Sequence, residues 1–312
     1  MEKVLFHVRA QGKKNRCGDL RLALTSLASS RVPASVEWEV LVVDNNSTDE
    51  TSSVVQEFIS RHPARFRYVF EPTPGRSYAL NRGIRESQAD ILAFTDDDVI
   101  VEPSWLHELT QSISPSTYAG ASGRTLPACD FTPPPWLPMN EHFALAPLAL
   151  FDRGLKPIDL TEAPFGNNMA FRRQAFEQYG TFRVDIGRRP GSILGSEDSE
   201  FGERLLAAGE KLRYEPTAVL YHAVPAKRVT KDYFLAWWHD KTRSDVRAFG
   251  LPCSLRWKIA GIPLPLFRRL LRWSLQWIVT PSVSKRFLCK VRVWSVRGAI
   301  RECYWKAQGG TL

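Results

Sequence analysis

The sequence predicts an α/β fold: a mainly parallel central sheet with flanking helices, followed by a basic C-terminal helical region. Three observations predict it. Short β-branched runs such as Glu39–Asp44 and Ile91–Thr95 alternate with segments whose apolar residues recur at helical spacing. Both runs lead into acids, at the strand ends where an open parallel sheet binds ligands. The charge is also divided: residues 1–222 carry 24 Lys and Arg against 29 Asp and Glu, whereas residues 223–312 carry 18 against 4. The 312 residues have a net charge of +9 and are 44 % hydrophobic, which excludes a disordered polymer, a collagen-like repeat and a disulfide-stapled mini-protein.

Taken in order, Lys3–Val8 offers a first strand and Glu39–Asp44 a second. Asn45, Asn46 and Ser47 turn the chain; Ser47 and Glu50 have capping-box spacing, and Val54, Val55, Phe58 and Ile59 give a helical apolar face. Phe66–Glu71 reads as a strand, Pro72–Gly75 as a loop and Ser77–Glu86 as a helix. Ile91–Thr95 is a strand and Trp105–Ile113 a helix; the prolines of 127–138 mark a loop. Asn168–Phe171 is a strand followed by a helix ending near Gly180; Ser199–Ala208 is a helix closed by Gly209. Ala218–His222 is a strand, and Thr230–Phe249 a longer helix with Gly250 after it.

Asp44 closes one strand, and Asp96, Asp97 and Asp98 close another. Three adjacent carboxylates repel one another, so their placement points to a bound Mg2+ or Mn2+ whose shell substrate phosphates complete. A solvated acidic turn is the alternative. Glu197 and Asp198 open a helix, where they either complement its dipole or, for Asp198, act as a general base in a loop flanked by Gly191 and Gly195.

The segments VLVVDNNSTDET (40–51), EPTPGRSYALNRGI (71–84), ILAFTDDDVIVEPSWL (91–106), GNNMAFRRQAFEQYGTF (166–182) and GSEDSEFGERLLAAG (195–209) occur in that order. Together they resemble the family 2 glycosyltransferases of GT-A fold. The resemblance implies a GT-A domain over 1–250, with 251–312 as a basic, Trp-rich helical tail. It also implies metal-dependent, inverting transfer of a hexosyl group from a nucleotide-sugar donor to a hydroxyl acceptor. On this pattern Asp44 holds the base or ribose, and Arg76, Asn81, Asp97 and Asn168 line the donor site. Asp96 faces the ribose and, with Asp98, the metal (Mn2+ or Mg2+). Asp198 is the catalytic base, Glu197 its orienting neighbour, and His222 lies near the metal or diphosphate. The chain departs from the pattern at its start, where Asn15-Arg16 fits the end of the usual first motif but Met1–Lys14 lacks its Pro and hydroxyl residues. The QxxRW of processive synthases is also missing, since Cys253 and Arg269 stand where Gln would be. A single-addition enzyme follows, with a carbohydrate or lipid-linked acceptor in surface-polysaccharide or glycolipid assembly.

Seven of the ten Trp fall after residue 222, interleaved with the basic residues. That combination suggests an anionic membrane surface. In a helix over Leu266–Val279, Arg268, Arg269, Arg272 and Gln276 form one stripe, with Phe267, Leu270, Leu271, Leu275 and Ile278 largely opposite. The competing arrangement packs these helices with Arg outward. No nucleic-acid motif accompanies the charge, so nucleic acid is not an expected partner. No run of ~18 uncharged apolar residues exists to span a bilayer, and the apolar run Val4–Phe6 is too short for a secretory signal. The five cysteines show no CxxC and read as reduced thiols. A peripheral protein on the cytoplasmic face of the cell membrane is the expectation. Two alternatives stay open. A sugar nucleotidyltransferase would need a Gly-rich basic loop, of which Gln11–Lys14 is a faint echo; a degenerate membrane-bound scaffold would have lost donor binding.

Overall fold

A computed structural model describes residues 3–10, 17–113, 117–129, 131–164, 166–187, 195–250 and 257–310. Its elements are β1 (Lys3–Ala10), α1 (Cys17–Ala28), β2 (Glu37–Asp44), α2 (Thr51–Arg61), β3 (Phe66–Phe70), α3 (Arg76–Glu86), β4 (Ile91–Asp96), β5 (Val99–Val101), α4 (Trp105–Gln111), β6 (Gly120–Pro127), α5 (His142–Leu145), β7 (Ile158–Asp159), β8 (Met169–Arg172), α6 (Arg173–Tyr179), α7 (Glu197–Ala207), β9 (Leu212–His222), α8 (Lys231–Phe249), the short pair β10 (Lys258–Ile259) and β11 (Ile262–Pro263), α9 (Leu264–Val279) and α10 (Val283–Ala307). The Gln11–Lys14 echo, Asn15-Arg16, Gly191 and Cys253 lie outside the described residues.

The chain divides into two compact units. One comprises Met1–Cys129, Ala149–Pro190 and Glu197–Ala223; the other comprises Asp130–Leu148, Gly191–Ser196 and Val224–Leu312. The division after residue 223 differs from the expected one after 250. Helix α8 belongs with the tail because it packs along α10.

In the first unit the sheet order is β3-β2-β1-β4-β8-β6-β9-β5, with β7 beside β9. Strands β3, β2, β1 and β4 are parallel, as the βα alternation predicts. Beyond β4 the sheet is mixed: β8 runs antiparallel to β4 and β6, β6 is parallel to β9, and β5 is antiparallel to β9. Side chains alternate between two buried faces. Val40, Val42, Ile91 and Ala93 join a core with Leu24, Val55 and Trp105. Leu41, Val43, Leu92 and Phe94 join another with Leu80, Phe171, Phe176 and Phe201. Burial on both faces explains the continuous apolar runs in the sequence.

Helix α2 buries Thr51, Val54, Val55 and Phe58, a one-faced pattern. The Ser47–Glu50 capping box does not form: the N-cap is Glu50, without a side-chain cap hydrogen bond. Asp49 Oδ1 instead accepts from the Thr51 amide and hydroxyl. Gly180 (φ 80°) and Gly250 (φ 73°) close α6 and α8 in the left-handed region, as the sequence suggests.

In the second unit, α8 and α9 both pack against α10. Glu302 on α10 is fully buried and ion-paired with Arg243 and Arg247 of α8. Much of the basic and aromatic interleaving is used inside this bundle. Arg272 and Arg292 lie over Trp273, Lys290 over Trp277 and Trp294, Arg297 over Trp294 and Arg247 over Trp305. Helix α9 turns Leu266, Phe267, Leu270 and Trp273 towards the bundle, yet leaves Leu271, Leu275, Ile278 and Val279 between 54 % and 74 % exposed. No helix among the described residues is long and apolar enough to cross a membrane.

Candidate active site

The site lies in the first unit, at the carboxyl ends of its parallel strands. Register pairs Ala10 with Asp44 and Arg9 with Asp96, so β1 separates two acids at the same sheet end. Two strand spacings put their backbones roughly 10 Å apart. Asp44 is buried: Oδ1 accepts from the Ser47 amide and Oδ2 from the Tyr68 hydroxyl at 2.8 Å. Burial and then that hydrogen bond push the Tyr68 hydroxyl up to about 12, so it stays a donor to Asp44 at ordinary pH. Asn45 grips the following loop through Glu71 O, Thr73 O and the Gly75 amide, which fixes the start of α3.

The first residue of α3 is Arg76, only 8 % exposed. Its Nη1 donates to Glu197 Oε1 at 2.9 Å and Asp198 Oδ2 at 3.0 Å. Its Nη2 donates to Gly166 O at 2.8 Å and lies 3.5 Å from Asp96 Oδ1. Burial by itself would favour the neutral guanidinium, but Asp96, Glu197 and Asp198 together outweigh it and hold the proton more tightly than usual. Asp198 receives further donors, among them the Gly166 amide on Oδ2 at 3.1 Å and the Ser199 amide on Oδ1 at 2.7 Å. It remains partly open, with 21 % of its side chain accessible, whereas Glu197 is closed in. An oriented, partly accessible carboxylate at a helix start can accept a proton from a bound hydroxyl.

The turn between β4 and β5 carries Asp97 and Asp98, both buried. Asp98 Oδ1 is 3.5 Å from His222 Nε2, because β5 pairs Val99 with His222 at the end of β9. His222 Nδ1 is buried with no hydrogen-bond partner among the described residues. A carboxylate beside an imidazole fits Mn2+ or Mg2+ chemistry. Asp96 does not join them: no group of three His, Cys, Asp or Glu that could hold a metal exists among the described residues. Its carboxylate faces Arg76 instead. Asp98 and His222 would therefore hold the ion, with phosphates and water completing its shell.

Three expected donor-site residues serve other ends. The Asn81 amide brackets Phe182, donating to its carbonyl at 2.8 Å and accepting from its amide at 3.0 Å. Asn168 is fully buried; its amide donates to Arg124 O and Ala218 O, and its oxygen accepts from the Trp105 indole. Both side chains are buried and turned to these partners. Arg76 faces acids rather than an open nucleotide surface. Gly166, at the head of the GNNMAFRRQAFEQYGTF segment, also belongs to the site. A Cβ there would sit 2.2 Å from Asp198 Oδ2 and 2.3 Å from Arg76 Nη2, so only glycine permits this cluster. Asn167, next to it, is buried with Oδ1 lacking a hydrogen-bond partner among the described residues. The Gly-Asn-Asn run before a strand was its available signal.

The model of the glycosyl transferase family 2 matches residues 14–180, more than half the chain. Succinoglycan biosynthesis protein ExoM of Rhizobium meliloti (strain 1021) is 27 % identical over 220 residues, 70 % of this chain and 66 % of that protein. Glucosyl-dolichyl phosphate glucuronosyltransferase of Haloferax volcanii is 24 % identical over 209 residues, covering 65 % of each. The chain thus spans just under two thirds of the length of either. The solved mannosyltransferase PcManGT of Pyrobaculum calidifontis, in complex with GDP-Man and Mn2+, superposes with a TM-score of 0.61 at 20 % identity, over all of this chain and 76 % of that one. That likeness establishes the GT-A fold.

Proposed function

Because the chain belongs to glycosyl transferase family 2, we propose that it is an inverting glycosyltransferase, moving a sugar from a nucleoside-diphosphate donor to a hydroxyl acceptor. One observation carries the reading: a single guanidinium ties Asp198, a candidate base, to Asp96 of the acidic turn. Base and donor turn therefore share one end of one unit.

A sugar hydroxyl is a weak nucleophile. Asp198 takes its proton as the oxygen forms a bond to the anomeric carbon. The bond to the diphosphate breaks on the opposite face and its electron pair leaves with the phosphate, so the configuration inverts. Asp44 receives the nucleoside at the end of β2, and Asp96 the ribose. A Mn2+ or Mg2+ held by Asp98 and His222 would offset the charge that grows on the leaving diphosphate. The names of the two relatives support an acceptor that is a carbohydrate or a lipid-linked sugar, in polysaccharide or glycolipid assembly. The exposed apolar stripe of α9 and its arginines support a peripheral position on the anionic inner face of the membrane.

The test incubates the protein with UDP-, GDP- and dTDP-sugars and Mn2+, and measures nucleoside diphosphate release and nucleotide binding. One donor is expected to be turned over, EDTA and Asp98→Ala to abolish turnover, and Asp198→Asn to lower kcat by about 10²–10⁴-fold. Absence of any nucleotide binding would leave a scaffold; formation of nucleoside triphosphate and sugar 1-phosphate from the donor when pyrophosphate is added would make it a nucleotidyltransferase.

A further inference from the structure

The motif to which Arg76 belongs suggests a nucleotide contact, but its side chain is engaged elsewhere. We infer that Arg76 is a positioning residue for Asp198: it fixes the carboxylate for proton transfer and ties it to Asp96, rather than binding the donor nucleotide. The inference rests on Asp198 being the base.

Four segments meet on this guanidinium: the start of α3, the end of β4, the Gly166 loop and the start of α7. They are distant in sequence, Arg76 and Asp198 being 122 positions apart. Arg76 satisfies geometry that a point charge cannot. Nη1 forks between Glu197 and Asp198, while Nη2 takes a carbonyl and faces Asp96. Without it, three carboxylates would face one another across a partly closed site, and Asp198 Oδ2 would keep only the Gly166 amide of its two described donors. Repulsion would then turn Asp198 away from the acceptor. Proton transfer and in-line attack are sensitive to such displacement, since an error of about 1 Å can cost roughly a hundredfold in rate. Donor affinity depends mainly on groups that Arg76 does not touch, Asp44 and the Asp98–His222 pair, with Asp96 the one donor contact it faces. Base geometry and donor affinity should therefore separate on mutation.

The experiment compares Arg76→Ala and Arg76→Lys with the unmodified protein, using the donor found active in the panel. Readouts are kcat, donor KM, calorimetric affinity for the matching nucleoside diphosphate, and the thermal midpoint. For Arg76→Ala, kcat is expected to fall about a hundredfold, with donor KM and nucleotide affinity within about threefold, and added guanidinium ion to recover part of kcat. Arg76→Lys, which keeps the charge without the fork, should fall in between; it also serves if the alanine variant does not fold. A tenfold or greater loss of nucleotide affinity with kcat preserved, in either variant, would make Arg76 a donor contact and overturn the inference. Asp198→Asn is the separate control: full activity there removes the base assignment itself, whatever Arg76 does.

Discussion

Gly166 shows how narrowly the site is specified at the scale of one atom. A methyl on it would approach Asp198 Oδ2 to 2.2 Å and the two terminal nitrogens of Arg76 to 2.3 and 2.6 Å. Gly166→Ala should therefore displace the base while leaving both charged partners in the chain. A kcat reduced by about a hundredfold, with unchanged nucleotide affinity, is the expected outcome. Gly18→Ala, where a Cβ meets nothing within 4 Å among the described residues, should leave both values unaltered. Wild-type kcat in Gly166→Ala would mean that the close packing has no bearing on the chemistry. Individual acids were legible beforehand, because Asp44, Asp98 and Asp198 sit at strand and helix ends that periodicity locates. Their counter-ion was not. Only folding brings Arg76 to residues 197 and 198, and no local pattern distinguishes an arginine facing acids from one facing a phosphate. The same holds for Asn81 and Asn168, whose amides bond groups far along the chain: Phe182 for Asn81, and Arg124, Ala218 and the Trp105 indole for Asn168.

Among the elements, those with period and punctuation were legible and those built from small residues were not. Strand β6 reads GASGRTLP, with two glycines and a proline, and resembles a loop. It is nevertheless central, between β8 and β9, where Gly120 lets the Phe171 ring approach: a Cβ would lie 2.4 Å from that ring. Here the glycines serve close packing rather than turning. The pairing of β6 with β9 also accounts for the length of β9, which begins at Leu212 rather than at the expected Ala218. In the helical unit the decisive contact is polar. Glu302 is wholly buried on α10 and takes Arg243 Nε and Arg247 Nη2 on Oε2, each at 3.2 Å, and Arg247 Nε on Oε1. Removing one member of such a group leaves buried charge without a partner, which costs about 3–5 kcal/mol. Glu302→Ala should lower the thermal midpoint of the helical unit by several degrees. Arg301→Ala, a neighbouring exposed arginine, should not. Equal midpoints for the two variants would show that the pair contributes nothing to stability.

Across the whole molecule, charge was a better guide to organisation than helix punctuation. Gly250 ends α8 and suggests a boundary there, yet the change in charge after residue 222 matches the compact division after 223. The basic, Trp-rich composition also needs a narrower interpretation, because four of its seven Trp rings lie under the bundle's own Arg and Lys side chains. What α9 leaves for an external surface is aliphatic. Leu271, Leu275, Ile278 and Val279 follow i, i+4, i+7 and i+8 spacing on one face of α9, with Arg268 and Arg272 alongside, and all six are exposed. Burying four such side chains in an interface contributes about 4–8 kcal/mol when partly inserted. Three nearby arginines, Arg269 included, add about 1 kcal/mol each on an anionic surface. The apolar term is the larger, which sets the expected ranking. In flotation with vesicles containing phosphatidylglycerol, the full chain should bind, and high salt should weaken binding without abolishing it. Leu271, Leu275, Ile278 and Val279 all changed to Ser should prevent binding at every salt concentration, whereas Arg268, Arg269 and Arg272 changed to Gln should remove only the preference for anionic lipid. Because these side chains are exposed, both variants should keep the wild-type thermal midpoint and nucleotide affinity. Undiminished vesicle binding by the Ser variant would transfer membrane attachment to another part of the chain. Loss of a dimer in that variant, without any lipid binding by the wild type, would identify the stripe as a contact between copies.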